Sequence, residues 1–406
     1  MIRTRRWLAI AGAVLAVAVV VGCWQGALAA RTTPGSSPRH GGWADSGWQR
    51  TDLTTASAAP AAVLSSLAGF VFETQRTQHV IYYSAPDNHV RELWWDANGR
   101  HSSDLTAVTG APAASGGTLA GFVFNSQSSE HVLSVGVDRH VYEMYWDKTW
   151  HLTDLTAATG APAAAGVALA AYVSETQGTE HVLYLGYDRN LYEMWWDDVW
   201  HVTDLTTATG APPASADALA GYMFEAQGTE HVIYPGPGGH LFEMWWTQQG
   251  WHYSDLTAAT GSASYGGGTL VGYVFSSQGT QHVIYKGVAG HIHELWSDGN
   301  RWHANDLTAA TGAPNAAGGT IAAYVFESQG TQHVIYAGVD RDLYELWWDQ
   351  NWHVGDLTAA TRAPAVAGAT LAGYASEADG TQHVVYGSSA DAHIHELWWG
   401  PQTGHN

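Results

Sequence analysis

The chain has 406 residues, 37 of them Asp or Glu and 16 Lys or Arg, for a formal net charge of −21. A surface this acidic repels phosphate backbones and anionic lipid headgroups, which argues against nucleic acid and against direct membrane insertion after signal removal. Only 13% of residues are charged while 21 are Trp and 19 Tyr, so recognition falls to uncharged polar and aromatic groups; a single cysteine, Cys23, excludes a disulfide framework.

Residues 1–29 read as an export signal, with a basic start from Met1 to Arg6 and an apolar core from Trp7 to Gly22. Ala27-Leu28-Ala29 fits a small-x-small cleavage site and predicts an extracellular, secreted protein. Val20-Val21-Gly22-Cys23 also fits the site after which bacterial lipoproteins are cut, and would leave the chain lipid-anchored at the cell surface through Cys23; the bulky Trp24 favours free secretion. Residues 30–42 hold Pro, Gly, Ser and Thr without an apolar pattern and read as a flexible leader.

From residue 43 to 406 one unit of 50–52 residues recurs. Asp-Leu-Thr starts at Asp52, Asp104, Asp154, Asp204, Asp255, Asp306 and Asp356, and Glu-(Leu or Met)-aromatic starts at Glu92, Glu143, Glu193, Glu243, Glu294, Glu345 and Glu396. In the third unit four short runs rich in β-branched and aromatic residues, 168–174, 181–184, 190–196 and 200–205, are separated by turn residues at 177–179, 186–189 and 197–198. No window has helical spacing long enough for a helix of normal length. The expected fold is therefore all-β, a seven-bladed β-propeller of four-stranded antiparallel blades. The first Asp-Leu-Thr precedes the first Glu signature, and the chain ends at Trp399 without a matching outer strand. The N-terminal strand, 48–53, is thus expected to pair in the C-terminal blade begun by 369–399 and close the ring; no caps of an open solenoid are visible.

Alternation along the third strand puts Leu191, Glu193 and Trp195 on one face and Tyr192, Met194 and Trp196 on the other, so a carboxylate enters an apolar face in every unit. It must be hydrogen-bonded or neutralised, either within the protein or by the hydroxyls of a sugar in a cleft between blades. Two places after each Glu stands an aromatic residue: Trp94, Tyr145, Trp195, Trp245, Trp296, Trp347 or Trp398. The outer strand adds Trp48, Trp150, Trp200, Trp251, Trp302 and Trp352, with Arg100 in the remaining place. A flat indole suits the C–H side of a pyranose and a neighbouring carboxylate its hydroxyls, whereas the alternative is that tryptophan fills wedge-shaped gaps between twisted sheets. Histidine recurs in the second strand (His79, His131, His181, His231, His282, His333, His383) and after the outer aromatic (His101, His151, His201, His252, His303, His353). One histidine of each set per blade argues for structural hydrogen bonds, to the Asp of Asp-Leu-Thr, rather than metal, and no cofactor is expected.

These units, with His-Val-Ile-Tyr, His-Ile-His-Glu-Leu-Trp-Trp and Trp-His-x-x-Asp-Leu-Thr, resemble those of bacterial seven-bladed propeller lectins that bind fucose and O-methylated sugars, and more distantly those of fungal fucose-specific lectins. The resemblance spans about residues 43–400. It implies a multivalent carbohydrate-binding protein whose partners are glycans or glycoconjugates, with the seven signature Glu and the named aromatics at sites between blades. In the fungal lectins an Arg and a Glu of one blade bind the sugar and an aromatic of the adjoining blade stacks on it. The Arg does not carry over, since only Arg139, Arg189 and Arg341 lie nearby, in hairpins. A protein-binding scaffold is the main rival. An enzyme is disfavoured because the near-identical units offer no asymmetric acid, base or nucleophile. Oligomeric state is left open, a homo-oligomer included.

Overall fold

The computed structural model describes residues 47–85 and 87–400. The readings of 1–29 as an export signal and 30–42 as a leader lie outside the described residues. Seven four-stranded antiparallel sheets are formed: blade I spans 62–104, II 120–154, III 164–204, IV 220–255, V 271–306, VI 316–356 and VII 366–399. Blade VII is completed by Gln49–Asp52, which pairs with Ile394–Trp399 in the register Gln49↔Trp398 to Asp52↔His395. The first strand of each blade touches that of the next, and the first strand of VII touches that of I, so the sheets form a closed seven-bladed propeller.

The Asp-Leu-Thr signature explains how one blade hands over to the next. After the outer strand the chain makes one helical turn of four or five residues, Leu53–Ala56 and its six equivalents such as Leu205–Thr209. Such a turn is too short to leave a 3.6-residue periodicity in the sequence, which is why none was visible. The Asp is its N-cap, as where Asp204 accepts the Thr207 amide at 2.8 Å, and Gly210 ends the turn in the left-handed conformation at φ 70°. The Leu is fully buried in all seven copies. The Thr hydroxyl accepts the backbone N–H that opens the third strand, as where the Leu191 amide donates to Thr206 Oγ1 at 2.9 Å. Each residue of the signature thus has a structural task, and the partner of the Asp is the hairpin residue before the third strand. His89, His140, His240, His291 and His393 fill that role by contacts to Asp104, Asp154, Asp255, Asp306 and Asp52.

Neighbouring blades are also tied at their turns. The carboxylates of Glu73, Glu175, Glu225, Glu327 and Glu377 each accept one or two backbone amides from the turn of the preceding blade, as where Glu175 takes the Asn125 and Ser126 amides at 2.6 and 3.0 Å. Blades II and V carry Asn125 and Ser276 in that place, so the I–II and IV–V junctions lack this carboxylate.

Asp52 joins the two ends of the chain, capping the first helical turn and contacting His393 Nδ1 at 2.9 Å. Partial burial pushes its carboxyl up, but the Thr55 amide and hydroxyl and the His393 imidazole outweigh this and bring it down to about 2. A carboxyl that ionises more readily in the folded than in the unfolded state stabilises the fold above its unfolded value. That contribution is lost as pH falls through the folded one. Between pH 5 and pH 2, therefore, urea midpoints should fall less steeply for Asp52→Asn, whose amide can cap but gains no proton, than for the parent chain. Equal acid responses would contradict the assignment.

Candidate functional site in the crevices between blades

Cross-strand register builds the same row of rings in every blade. In blade III, Tyr172, His181, Trp195 and His201 are successive partners across the four strands, and Leu183, Glu193 and Thr203 form the next row on that face. Diagonal neighbours on one face lie within reach of long side chains. His181 Nδ1 accordingly meets Glu193 Oε1 at 2.8 Å, while its Nε2 lies 2.9 Å from Thr179 Oγ1. The other six pairs, His79–Glu92, His131–Glu143, His231–Glu243, His282–Glu294, His333–Glu345 and His383–Glu396, measure 2.6–2.8 Å. The second-strand histidines thus meet the signature Glu and not the Asp of Asp-Leu-Thr. All seven Glu are at most 4% exposed.

The aromatic two places on is held by the histidine of the outer strand. His101, His151, His201, His252, His303 and His353 stack on Trp94, Tyr145, Trp195, Trp245, Trp296 and Trp347, with centroids 4.0–5.3 Å apart. Trp195 and Trp347 are buried, and Trp94, Tyr145, Trp245, Trp296 and Trp398 half-buried. The outer-strand tryptophans are half-buried and pack on the core shared with the preceding blade: Trp150 at I–II, Trp200 at II–III, Trp251 at III–IV, Trp302 at IV–V, Trp352 at V–VI and Trp48 at VI–VII. Six of the seven junctions therefore combine the Glu and aromatic of one blade with the outer indole of the next. At VII–I the place belongs to Arg100, whose Nη2 lies 3.8 Å from Glu396 Oε2 and whose guanidinium lies over Trp95. An Arg–Glu pair across a blade junction is thus present, although the chain positions are 296 apart and the units taken singly do not suggest it.

The residue before each second-strand histidine also enters the crevice of the preceding blade. It is Gln78, Gln281, Gln332 or Gln382 in four blades and Glu130, Glu180 or Glu230 in three. Glu130 Oε2 lies 3.1 Å from His79 Nδ1, and Glu180 Oε2 lies 3.5 Å from His131 Nδ1. Burial pushes Glu92 up to about 7, and burial together with the charge of Glu92 pushes Glu130 up to about 8 against the pull of His79. Glu180 is raised well above the usual carboxylate range by burial and by Glu143. Paired carboxyls of this kind hold a proton near neutrality. The Glu/Gln alternation is plain in the sequence, but only the stacking of blades shows that it faces the neighbouring Glu.

At I–II the crevice opens into a cavity of about 190 Å³ lined by Gln75, Thr77, His79, Glu92, Trp94 and Ser103 of blade I and by Glu130, Trp146 and Trp150 of blade II. It brings together the three residues expected there, Glu92, Trp94 and Trp150. Trp146, the second indole of the Tyr-Trp pair, and Glu130 are additions. The volume is below the roughly 300–1,000 Å³ of sites that enclose drug-sized ligands and suits part of a sugar ring resting in a shallow cleft.

No protein-family model matches the chain. No curated protein matches it either. Among solved structures it is similar to the lectin BP39L from Burkholderia pseudomallei, at 17% identity and a TM-score of 0.59 over 84% of this chain and 98% of that one. It is also similar to the lectin SapL1 in complex with alpha methyl fucoside, at 16% identity and a TM-score of 0.50 over 75% and 98% of the two chains. AofleA from Arthrobotrys oligospora matches at 15% identity and a TM-score of 0.51 over 76% and 89%. The propeller fold expected from the repeats is the fold these lectins share.

Removing one partner of a buried hydrogen-bonded pair strands the other. His231→Ala should destabilise the protein by about 3–5 kcal/mol, because Glu243 keeps only a 3.4 Å contact from Ser254 Oγ. Urea unfolding checks this; wild-type stability would show that the pair is not what holds the carboxylate.

Proposed function

We propose that this protein is a secreted, multivalent lectin that binds glycans in the crevices between its blades without altering them. The observation that carries this reading is the I–II cavity, where indoles from two adjoining blades, Trp94, Trp146 and Trp150, face a cleft with carboxylates and amide at its floor. Indole faces are apolar plates that pack on the C–H side of a pyranose, while Glu92, Glu130 and Gln75 supply hydrogen-bonding groups for its hydroxyls. The shared fold with a propeller that holds alpha methyl fucoside supports a fucose-type or O-methylated sugar as the ligand. At VII–I, Arg100 of blade I and Glu396 of blade VII offer a charged pair in place of the indole, drawn from two blades where the fungal fucose lectins take both from one.

Repetition serves affinity. A single shallow site typically reaches about millimolar strength, near −4 kcal/mol. Several such sites meeting a dense glycan surface gain roughly 10² to 10⁴ in avidity. Export through residues 1–29 would deliver the ring to such surfaces.

The mature protein should be retained on immobilised fucosylated or O-methylated glycans, and calorimetry with methyl α-L-fucoside should show several weak sites. Trp150→Ala should lower the number of sites by one while the protein stays folded by circular dichroism. Binding to no immobilised glycan, with capture of a defined protein partner, would replace the lectin reading by that of a scaffold. Edman sequencing of the exported chain should begin at Ala30; a blocked, lipidated Cys23 would instead put the protein on the cell surface.

A further inference from the structure

Two blade junctions differ from the rest by the combination of two residues. At I–II and II–III the ring stacked on the histidine is Phe70 or Phe122, and the residue supplied by the next blade is Glu130 or Glu180. At IV–V, V–VI and VI–VII the ring is tyrosine and the supplied residue glutamine, and the two meet: Tyr222, Tyr273 and Tyr324 donate to the side-chain carbonyls of Gln281, Gln332 and Gln382 at 2.7–3.1 Å; at VII–I the Tyr374 hydroxyl and Gln78 Oε1 are both buried without a hydrogen-bond partner. Junction III–IV is intermediate, with the Tyr172 hydroxyl 3.5 Å from Glu230. Where phenylalanine replaces tyrosine, that donor is gone, and a second carboxylate stands in the place of a neutral amide.

The consequence is a charge imbalance. In a glutamine junction the buried histidine faces a single carboxylate. At II–III, His131 Nδ1 faces two carboxylates, Glu143 Oε1 at 2.6 Å and Glu180 Oε2 at 3.5 Å. Its other nitrogen, Nε2, is taken by Ser129 Oγ at 2.8 Å. The three residues are at most 4% exposed, and Glu180 Oε1 is buried with no hydrogen-bond partner. A neutral imidazole that donates from Nε2 to the serine turns the lone pair of Nδ1 toward both carboxylates. Nitrogen and oxygens then form a converging donor set with two negative charges.

We propose that His131, Glu143 and Glu180, and likewise His79, Glu92 and Glu130, each bind a divalent metal ion of the zinc type between adjacent blades. The ligand atoms in each group lie within 4.8 Å of one another. The Nδ1-to-oxygen separations of 2.6–3.5 Å bracket the roughly 3.3 Å between two ligands on one tetrahedral zinc. One imidazole and two carboxylates suit Zn²⁺ and neutralise it exactly in charge, and the hydroxyls of Thr77 and Ser129 on the far nitrogens fix the ring and tautomer as outer partners of metal-bound histidines do. A tetrahedral ion keeps one position open, and at I–II that group lines the cavity. The ion would clamp blade II to its neighbours on both sides, including the I–II junction that lacks a turn carboxylate. This inference does not depend on whether the crevices take sugars.

The exposed groups Asp87/His89/Asp104 and Asp52/Asp391/His393 also bring acids and imidazole together, but Asp104 and Asp52 are engaged as helix caps.

The test uses the mature protein stripped with chelator and titrated with Zn²⁺ in a calorimeter, with retained metal counted by elemental analysis. Glu180→Gln and Glu130→Gln should each remove one equivalent, and the double variant two, with unfolding of the metal-free proteins little changed because glutamine is what four other junctions carry. Co²⁺ should give the visible absorption of a tetrahedral N/O site in the parent chain and lose it in the double variant. No retained Zn²⁺ in the parent chain would overturn the proposal and leave a shared proton as the balancing charge. An unchanged stoichiometry in the double variant would also overturn it, placing the metal on the exposed groups or on the third buried group, His181, Glu193 and Glu230.

Discussion

The ring depends on placing a carboxylate between two packed sheets and giving it an imidazole within 2.8 Å. A lone buried carboxylate would cost several kcal/mol, so the histidine is obligatory wherever the Glu is. The histidine is itself fixed on both sides, by a hydroxyl on Nε2 and by a Phe or Tyr stacked on its face. That order passes along the row to the aromatic after the Glu, on which the outer-strand histidine stacks in six blades. The indoles that border each crevice are therefore held as rigid plates, and a rigid aromatic surface loses little conformational entropy when a ligand settles on it.

Seven copies of this arrangement are not seven identical crevices. Small changes at equivalent positions set them apart: Asn125 where other blades have a clamping Glu, Phe70 where others have Tyr, Glu130 where others have Gln, Arg100 where others have Trp. Three of these four meet at or beside junction I–II, where the cavity lies. Near-identical blades keep the ring closed, since each must mate with the next, while single side chains at the junctions are free to vary what each crevice presents.

Much of the architecture was legible because it follows from period and count. The recurrence of Asp-Leu-Thr and of the Glu signature gives seven units, and the order of the two marks at the ends predicts that Gln49–Asp52 zips onto Ile394–Trp399, as found. Glu92 and Trp94 could be placed on one face because strand alternation fixes it, whereas Trp150 was named as an outer-strand candidate without its crevice. The partner of each Glu was not legible, because His181 and Glu193 are diagonal neighbours on adjacent strands rather than residues at a spacing within one strand. Nor was the approach of Arg100 to Glu396, or of Glu180 to His131, since both arise from the stacking of one twisted blade on another. The helical turns escaped notice because five residues hold barely one turn, and their evidence lies in capping chemistry alone.

The most direct measurement of the account is a crystal structure of the mature protein soaked in methyl α-L-fucoside. Electron density for a sugar ring lying against the indoles of Trp94 or Trp150, in the cleft between blades I and II, is the predicted result. Sugar bound only on the outer rim of the blades, away from every acid-and-indole crevice, would contradict it.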